Sequence, residues 1–165
     1  MMLNDLSDGD NVFIDANIFI YHFGGRSAHC RAFLERCARS QLTGYTSTHI
    51  LAEVLHRLMV AEAVQRGLVN PKTAVKKLKE KPDLIKQLTR YNADVNKARQ
   101  MNIIILSLTP EAIAASEEVR ANHGLLTNDS LVAATMSDHG LTKLATTDGD
   151  FERISGIEVY KPNDI

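Results

Sequence analysis

Four carboxylates in this chain stand where an α/β protein keeps its chemistry. Asp15 ends the apolar run Val12-Phe13-Ile14, and Glu53 falls near the start of a long helical pattern. Asp129 stands at the start of a later helical pattern, and Asp148 follows the short strand expected over 143–146. Each position is a strand end or a helix start, the edge of a parallel sheet on which ligands are bound. Carboxylates gathered in one cleft repel each other and rise in pKa, a penalty that a divalent cation removes. Oxygen donors without clustered Cys or His suit Mg²⁺ or Mn²⁺ better than Zn²⁺. Such a site suits phosphoryl chemistry, because the cation lowers the pKa of a bound water and neutralises charge on the phosphate. No Walker-type glycine loop is present, so a nucleic-acid phosphodiester is a more natural substrate than a free nucleotide.

The elements that must carry these acids are legible as alternating strands and helices. Residues 12–14 carry no polar side chain, as expected of a strand buried on both faces. A short helical turn over 18–23 follows, closed by Gly24-Gly25. Ser27 then offers an N-cap for a helix to about Arg39, with Cys30, Phe33, Leu34 and Cys37 inward. A weak strand over 42–46 leads into a helix over 48–65. Ile50, Leu51, Val54, Leu55, Leu58 and Met59 follow its helical spacing, with His49, Glu53 and His56 on the opposite face. Residues 71–101 read as one or two basic helices broken at Lys81-Pro82-Asp83. A β-branched strand is expected over 101–108, a helix from the Thr109-Pro110-Glu111 cap to Asn122, and a helix over 130–139 opened by Asn128-Asp129. A strand over 143–146, a helical turn over 148–154 and a last strand over 157–160 complete the chain. Strands alternating with helices, without tight hairpins, imply βαβ units and a three-layer α/β/α fold with a mostly parallel sheet.

The chain of 165 residues suits one domain with a sizeable core, and 44% hydrophobic with 24% charged residues suits a globular protein. A formal net charge of -1 argues against an overall basic nucleic-acid coat. No membrane span and no signal peptide is expected. Cys30 and Cys37 share a helix face but stand ~10 Å apart along the axis, too far for a mutual disulfide. The expected compartment is the cytosol.

Asp15-Ala16-Asn17, the acid of His49-Ile50-Leu51-Ala52-Glu53-Val54, the block Thr127-Asn128-Asp129-Ser130-Leu131-Val132-Ala133-Ala134-Thr135 and the block Ala145-Thr146-Thr147-Asp148-Gly149-Asp150-Phe151 resemble the PIN-domain family. In order and spacing they are similar to the VapC class of ribonuclease toxins. The resemblance implies an endoribonuclease dependent on Mg²⁺ or Mn²⁺. It implies that Asp15, Glu53, Asp129 and Asp148 are the catalytic metal ligands, with Asp150 an accessory acid. It also implies that Asn17 and Thr146 orient them, that the products carry 5′-phosphate and 3′-hydroxyl ends, that the protein is a homodimer, and that a toxin would have an antitoxin whose tail obstructs the site. Residues 66–101 depart from the pattern of a compact toxin by their length. The whole of 1–165 is therefore expected to be one PIN-like domain with a basic helical insertion at about 66–101.

Plainer readings compete at each position. Asp15 could cap the helix after it, Glu53 could be a solvated helix residue, Asp129 a helix start, and Asp148 and Asp150 parts of a turn around Gly149. The face formed by His49, Glu53 and His56 lacks the His-Glu-x-x-His zinc pattern. Nine of the 19 Lys and Arg residues fall in 72–99, against Glu80, Asp83 and Asp94. Lys72, Lys76, Lys77 and Lys79 are the RNA-contact candidates, the alternative being a solvated helical face. A haloacid-dehalogenase-like phosphatase would need Asp-x-Asp on the first strand, where Asn17 stands instead. A housekeeping RNA-processing nuclease, or a scaffold that binds RNA or protein without cleaving, would share the fold.

Overall fold

The computed structural model describes residues 1–165. Five strands, β1 (Asn11–Ile14), β2 (Thr43–Ser47), β3 (Ile104–Leu106), β4 (Lys143–Ala145) and β5 (Glu158–Tyr160), form one sheet. The order is β3-β2-β1-β4-β5, and every pairing is parallel. The chain steps outward from β1 to β2 to β3, then crosses back to lay β4 on the other side of β1. That reversal puts the carboxyl ends of β1 and β4 side by side, with Ile14 opposite Ala145. It is the switch point at which open parallel sheets hold ligands.

The helices are α1 (Ala16–Phe23), α2 (Ala28–Ala38), α3 (Thr48–Gln65), α4 (Ala74–Glu80), α5 (Pro82–Ile85), α6 (Arg90–Arg99), α7 (Pro110–His123) and α8 (Thr127–Asp138). Helices α1, α2, α3 and α6 pack on one another, and α7 packs on α8. With right-handed crossovers, the reversal after β3 assigns these two groups to opposite faces of the sheet. The main core joins Phe13, Ile14, Ile18, Phe19, Phe33 and Leu34 to Ile50, Val54, Met136, Leu144 and Phe151, all essentially inaccessible. Gly44 in β2 is a close-approach position. A Cβ there would meet Ile14 Cδ1 at 2.9 Å and Cys37 Sγ at 3.2 Å. Cys30 and Cys37 are buried free thiols. No helix is long and apolar enough to cross a membrane.

Three sequence expectations are corrected in detail. The strand expected over 101–108 shrinks to Ile104–Leu106. Asn102 takes a left-handed backbone (φ 54°) and donates its Nδ2 to Ala38 O at 3.0 Å, which delays the strand. Leu108 N donates to Thr48 Oγ1 at 3.1 Å, and Thr109 caps α7 through Ala112 N, so the chain has left the sheet by then. The helix expected from 130 begins at Thr127, with Leu126 as an N-cap that has no side-chain bond. The stretch 71–101 breaks at Lys81 as expected but breaks again before Arg90, giving a 3-10 turn at Pro71–Thr73 and helices α4, α5 and α6.

That stretch has its own small core of Val69, Ala74, Leu78 and Leu88 against Ala63 of α3. It is fastened by Glu62, a buried carboxylate that accepts from Thr89 N at 3.1 Å and Tyr91 N at 2.9 Å. Glu62 therefore caps α6 from a different element, since α6 has no side-chain cap of its own.

Candidate active site

Asp15 is built into both the strand end and the helix start. Its backbone N–H continues the β1–β4 ladder to Ala145 O at 3.0 Å, and its extended backbone makes it the N-cap of α1. Oδ1 accepts from Ala16 N at 2.7 Å. Oδ2 accepts from Thr146 Oγ1 at 2.7 Å and from Asn17 Nδ2. The capping role is met by Oδ1, while Oδ2 faces Thr146 and Asn17. Burial pushes the Asp15 carboxyl up, the Thr146 and Ala16 bonds pull it down, and the nearby Glu53 and Asp148 charges push it up again.

Thr146 is fully buried and uses all its hydrogen-bonding capacity. While donating to Asp15 it accepts from Asn17 Nδ2 at 3.0 Å and from Asp148 N at 3.1 Å. Asn17 completes the loop by accepting from Thr147 N at 3.1 Å through Oδ1. The ends of β1 and β4 are thereby tied through three side chains, and the Asp148 backbone is held beside Asp15. Asp148 Oδ1 accepts from Asp150 N at 2.8 Å, closing the turn around Gly149. Asp150 itself pairs with Arg153 in the 3-10 turn Asp150–Arg153, with Nη2 2.6 Å from Oδ1.

Glu53 reaches the same region from α3. Its Oε1 is 3.2 Å from Arg57 Nη1, and Asn128 Nδ2 of α8 stands 3.4 Å from Oε2. Asp129 lies in the first turn of α8 and is not its N-cap. Burial, then the charges of Asp148, Asp15, Asp150 and Glu53, push its carboxyl up to about 6. The carboxylates that sequence spacing singled out thus converge on one electrostatic neighbourhood.

As they stand, no three His, Cys, Asp or Glu side chains are gathered closely enough to hold a metal ion. Glu53 and Asp150 are turned to arginines. The donor set nevertheless fits a hard divalent cation, being all oxygen and carrying a repulsion that only added positive charge can relieve. His49 sits on the first turn of α3 with Nδ1 2.9 Å from Ser47 Oγ and a buried Nε2 that has no partner. His56 is exposed.

Sequence reading missed Arg57, Arg153 and Asn128 as neighbours of the acids. The two arginines were findable, because i,i+4 and i,i+3 partners meet on a helical turn. The Asn128 contact depends on how α8 meets α3 and left no local signal. Lys72, Lys76, Lys77 and Lys79 lie on the outer helices, exposed, and Lys76 and Lys77 pair with Glu80 at 3.9 and 3.0 Å.

A parallel five-stranded sheet with carboxylates at its switch point places the chain among α/β proteins with an acidic site at the strand ends. The chain belongs to the PIN-domain family, whose sequence profile matches residues 12–157. Among characterised relatives, it is 26% identical to Ribonuclease VapC2 of Methanocaldococcus jannaschii over 154 residues, covering 92% of this chain and 94% of that protein. It is 28% identical to Ribonuclease VapC6 of the same organism over 160 residues, covering 92% and 97%. In fold it is similar to VapBC2 of Rickettsia felis, solved bound to a promoter DNA fragment, with a TM-score of 0.63 at 16% identity over 93% of this chain and 99% of that one. It is also similar to VapC20 of Mycobacterium tuberculosis, a sarcin-ricin loop cleaving toxin, with a TM-score of 0.58 at 17% identity over 90% and 98%.

Proposed function

We propose that this protein is a metal-dependent endoribonuclease that hydrolyses RNA phosphodiester bonds. The observation that carries the reading is the convergence of Asp15, Glu53, Asp129 and Asp148 at the β1–β4 switch point, where their mutual charges push up the carboxyls of Asp15 and Asp129. Those four carboxylates would hold Mg²⁺ or Mn²⁺, with Asp150 as an accessory ligand once it leaves Arg153. The bound cation would supply the lowered water pKa and the phosphate neutralisation that hydrolysis requires. Asn17 and Thr146 fix the Asp15 carboxylate and the Asp148 turn, so the reorganisation a cation requires falls on the other donors, with Glu53 and Asp150 leaving their arginines.

The named ribonuclease relatives, matched over nearly their whole length, support the same reaction here. They also support the role of a toxin held by an antitoxin, with a housekeeping RNA-processing nuclease as the alternative role. We read the chain as one domain in which 66–101 is an insertion carried on the far half of α3. Self-association as a homodimer is supported by the edge strand β3, where Ile104 and Ile105 are 44% and 37% exposed. The buried free thiols suit a reducing compartment such as the cytosol.

The test is cleavage of a mixed RNA pool with Mn²⁺, Mg²⁺ or EDTA by the parent and by Asp15→Asn. Cleavage that requires both metal and Asp15 is the expected result. A folded parent that cleaves nothing with any metal would leave the non-catalytic scaffold as the better reading.

A further inference from the structure

An RNA strand approaching five carboxylates needs positive charge beside them as well as among them. In this chain two arginines, and no lysine, touch those acids. Arg57 lies one turn beyond Glu53 on α3, its Nη1 3.2 Å from the Glu53 carboxylate, and its side chain is 48% exposed. Arg153 lies one turn beyond Asp150, its Nη2 2.6 Å from that carboxylate, and its side chain is 56% exposed. One borders the acids on the α3 side, the other on the loop after β4. Lys161, at the end of β5, is taken by Glu152 at 2.7 Å.

The lysine-rich helix α4 is poorly placed for the same task. It packs on a cluster that includes Ala63, ten residues past Glu53, or ~15 Å farther along α3. Two of its lysines also share Glu80.

We propose that Arg57 and Arg153, each parked on an acid at one border of the carboxylate cluster, are the residues that grip the RNA phosphates flanking the cleaved bond. The inference rests on the ribonuclease reading above and names how that site receives its substrate. Exposed pairs one helical turn apart are weakly held and exchange readily. Were Glu53 and Asp150 to join in holding a cation, each would hold its arginine less firmly. The freed guanidinium can then offer two parallel N–H donors to phosphate oxygens, a geometry that lysine cannot match. Cation and RNA therefore favour each other's binding, each by the same factor.

The test uses the full-length protein and a short fluorescein-labelled single-stranded RNA, with binding followed by anisotropy in Ca²⁺ over a salt series and RNA integrity checked on a gel. Arg57→Gln and Arg153→Gln are each expected to lower the slope of log affinity against log salt by about 0.7, and their combination by about twice that. Arg57→Lys should restore the slope but not the full affinity. Without RNA, Mn²⁺ binding read by electron paramagnetic resonance should tighten in Arg57→Gln, since Glu53 has lost its competitor. Thermal melts report whether each variant is folded, and these exposed side chains should leave them unchanged.

If the double variant keeps the parental slope while Lys76→Gln/Lys77→Gln/Lys79→Gln lowers it, the phosphate grip belongs to α4 and the inference fails alone. A parent that neither binds nor cleaves RNA with any metal would sink the ribonuclease reading, and this inference with it.

Discussion

The Thr146 hydroxyl donates to Asp15 Oδ2 at 2.7 Å, joining side chains 131 positions apart at the ends of neighbouring strands. The same oxygen accepts from Asn17 and from the Asp148 backbone, so one hydroxyl sets two of the acids. Thr146→Val keeps the shape and removes all three bonds. It should lower Mn²⁺ affinity roughly 10- to 100-fold by calorimetry, the usual cost of losing a group that orients a ligand. Thr146→Ser should retain most of the affinity. An unchanged Thr146→Val titration would remove the hydroxyl from the site's function.

Asp15→Asn retains the acceptor that caps α1 while removing the charge. Its melting temperature should change little, because relieving a buried carboxylate pushed up by its surroundings is offset by an amide NH2 that now faces the Thr146 and Asn17 donors. RNA cleavage should fall by about two orders of magnitude or more if Asp15 acts on the charge developing in the reaction. Parental cleavage by this variant would refute the assignment.

Asp129 gives the site a pH signature. Its carboxyl is raised to about 6 in the folded protein, against ~3.9 in an unfolded chain. As pH rises from about 4 through 6, ionisation therefore costs the metal-free fold stability, while below that window the neutral acid costs nothing. Mn²⁺ competes with the proton, so its affinity should climb between about pH 5 and 7 and then level off. Asp129→Asn should flatten that climb and raise the melting temperature of the metal-free protein at pH 7.5, where the like-charge repulsion is greatest. Each ~1 kcal/mol gained would appear as ~2–4 °C. A Mn²⁺ titration independent of pH over this range would contradict the coupling.

Glu62 predicts a separable defect. Burial pushes its carboxyl up, but the N–H groups of Tyr91, Thr89 and Arg90 outweigh that and hold it below the usual range. Its contribution is therefore present above the ordinary carboxylate pKa and lost as pH falls below about 4. Glu62→Ala leaves the first turn of α6 without its cap and should cost about 1–3 kcal/mol. Hydrogen exchange should accelerate over 86–99 and stay slow in β1 and β4. Uniform acceleration across the chain would mean that 66–101 and the main core unfold as one unit.

Much of this protein is written in local pattern. The apolar run before Asp15, the Ser27 and Thr109 caps, the 3.6-residue spacing in α2 and α3 and the break at Lys81 each depend on near neighbours, and all reappear in the fold. Strand–helix alternation also carried the four acids to one sheet edge, since every crossover returns the chain in the same direction. Local pattern failed where distant groups compete. The third strand lost its ends to Asn102 bonding Ala38 and to Leu108 bonding Thr48, neither of which a β-branched run reveals. The sequence by itself determined which side chains can do chemistry and on which kind of element each sits, because hydrophobic period and capping act within a turn or two. Only the tertiary structure decided that β4 lies beside β1, that Thr146 reaches Asp15, and that Glu62 caps a helix 27 residues downstream. Those contacts form between groups that meet only after the whole sheet and its layers have packed.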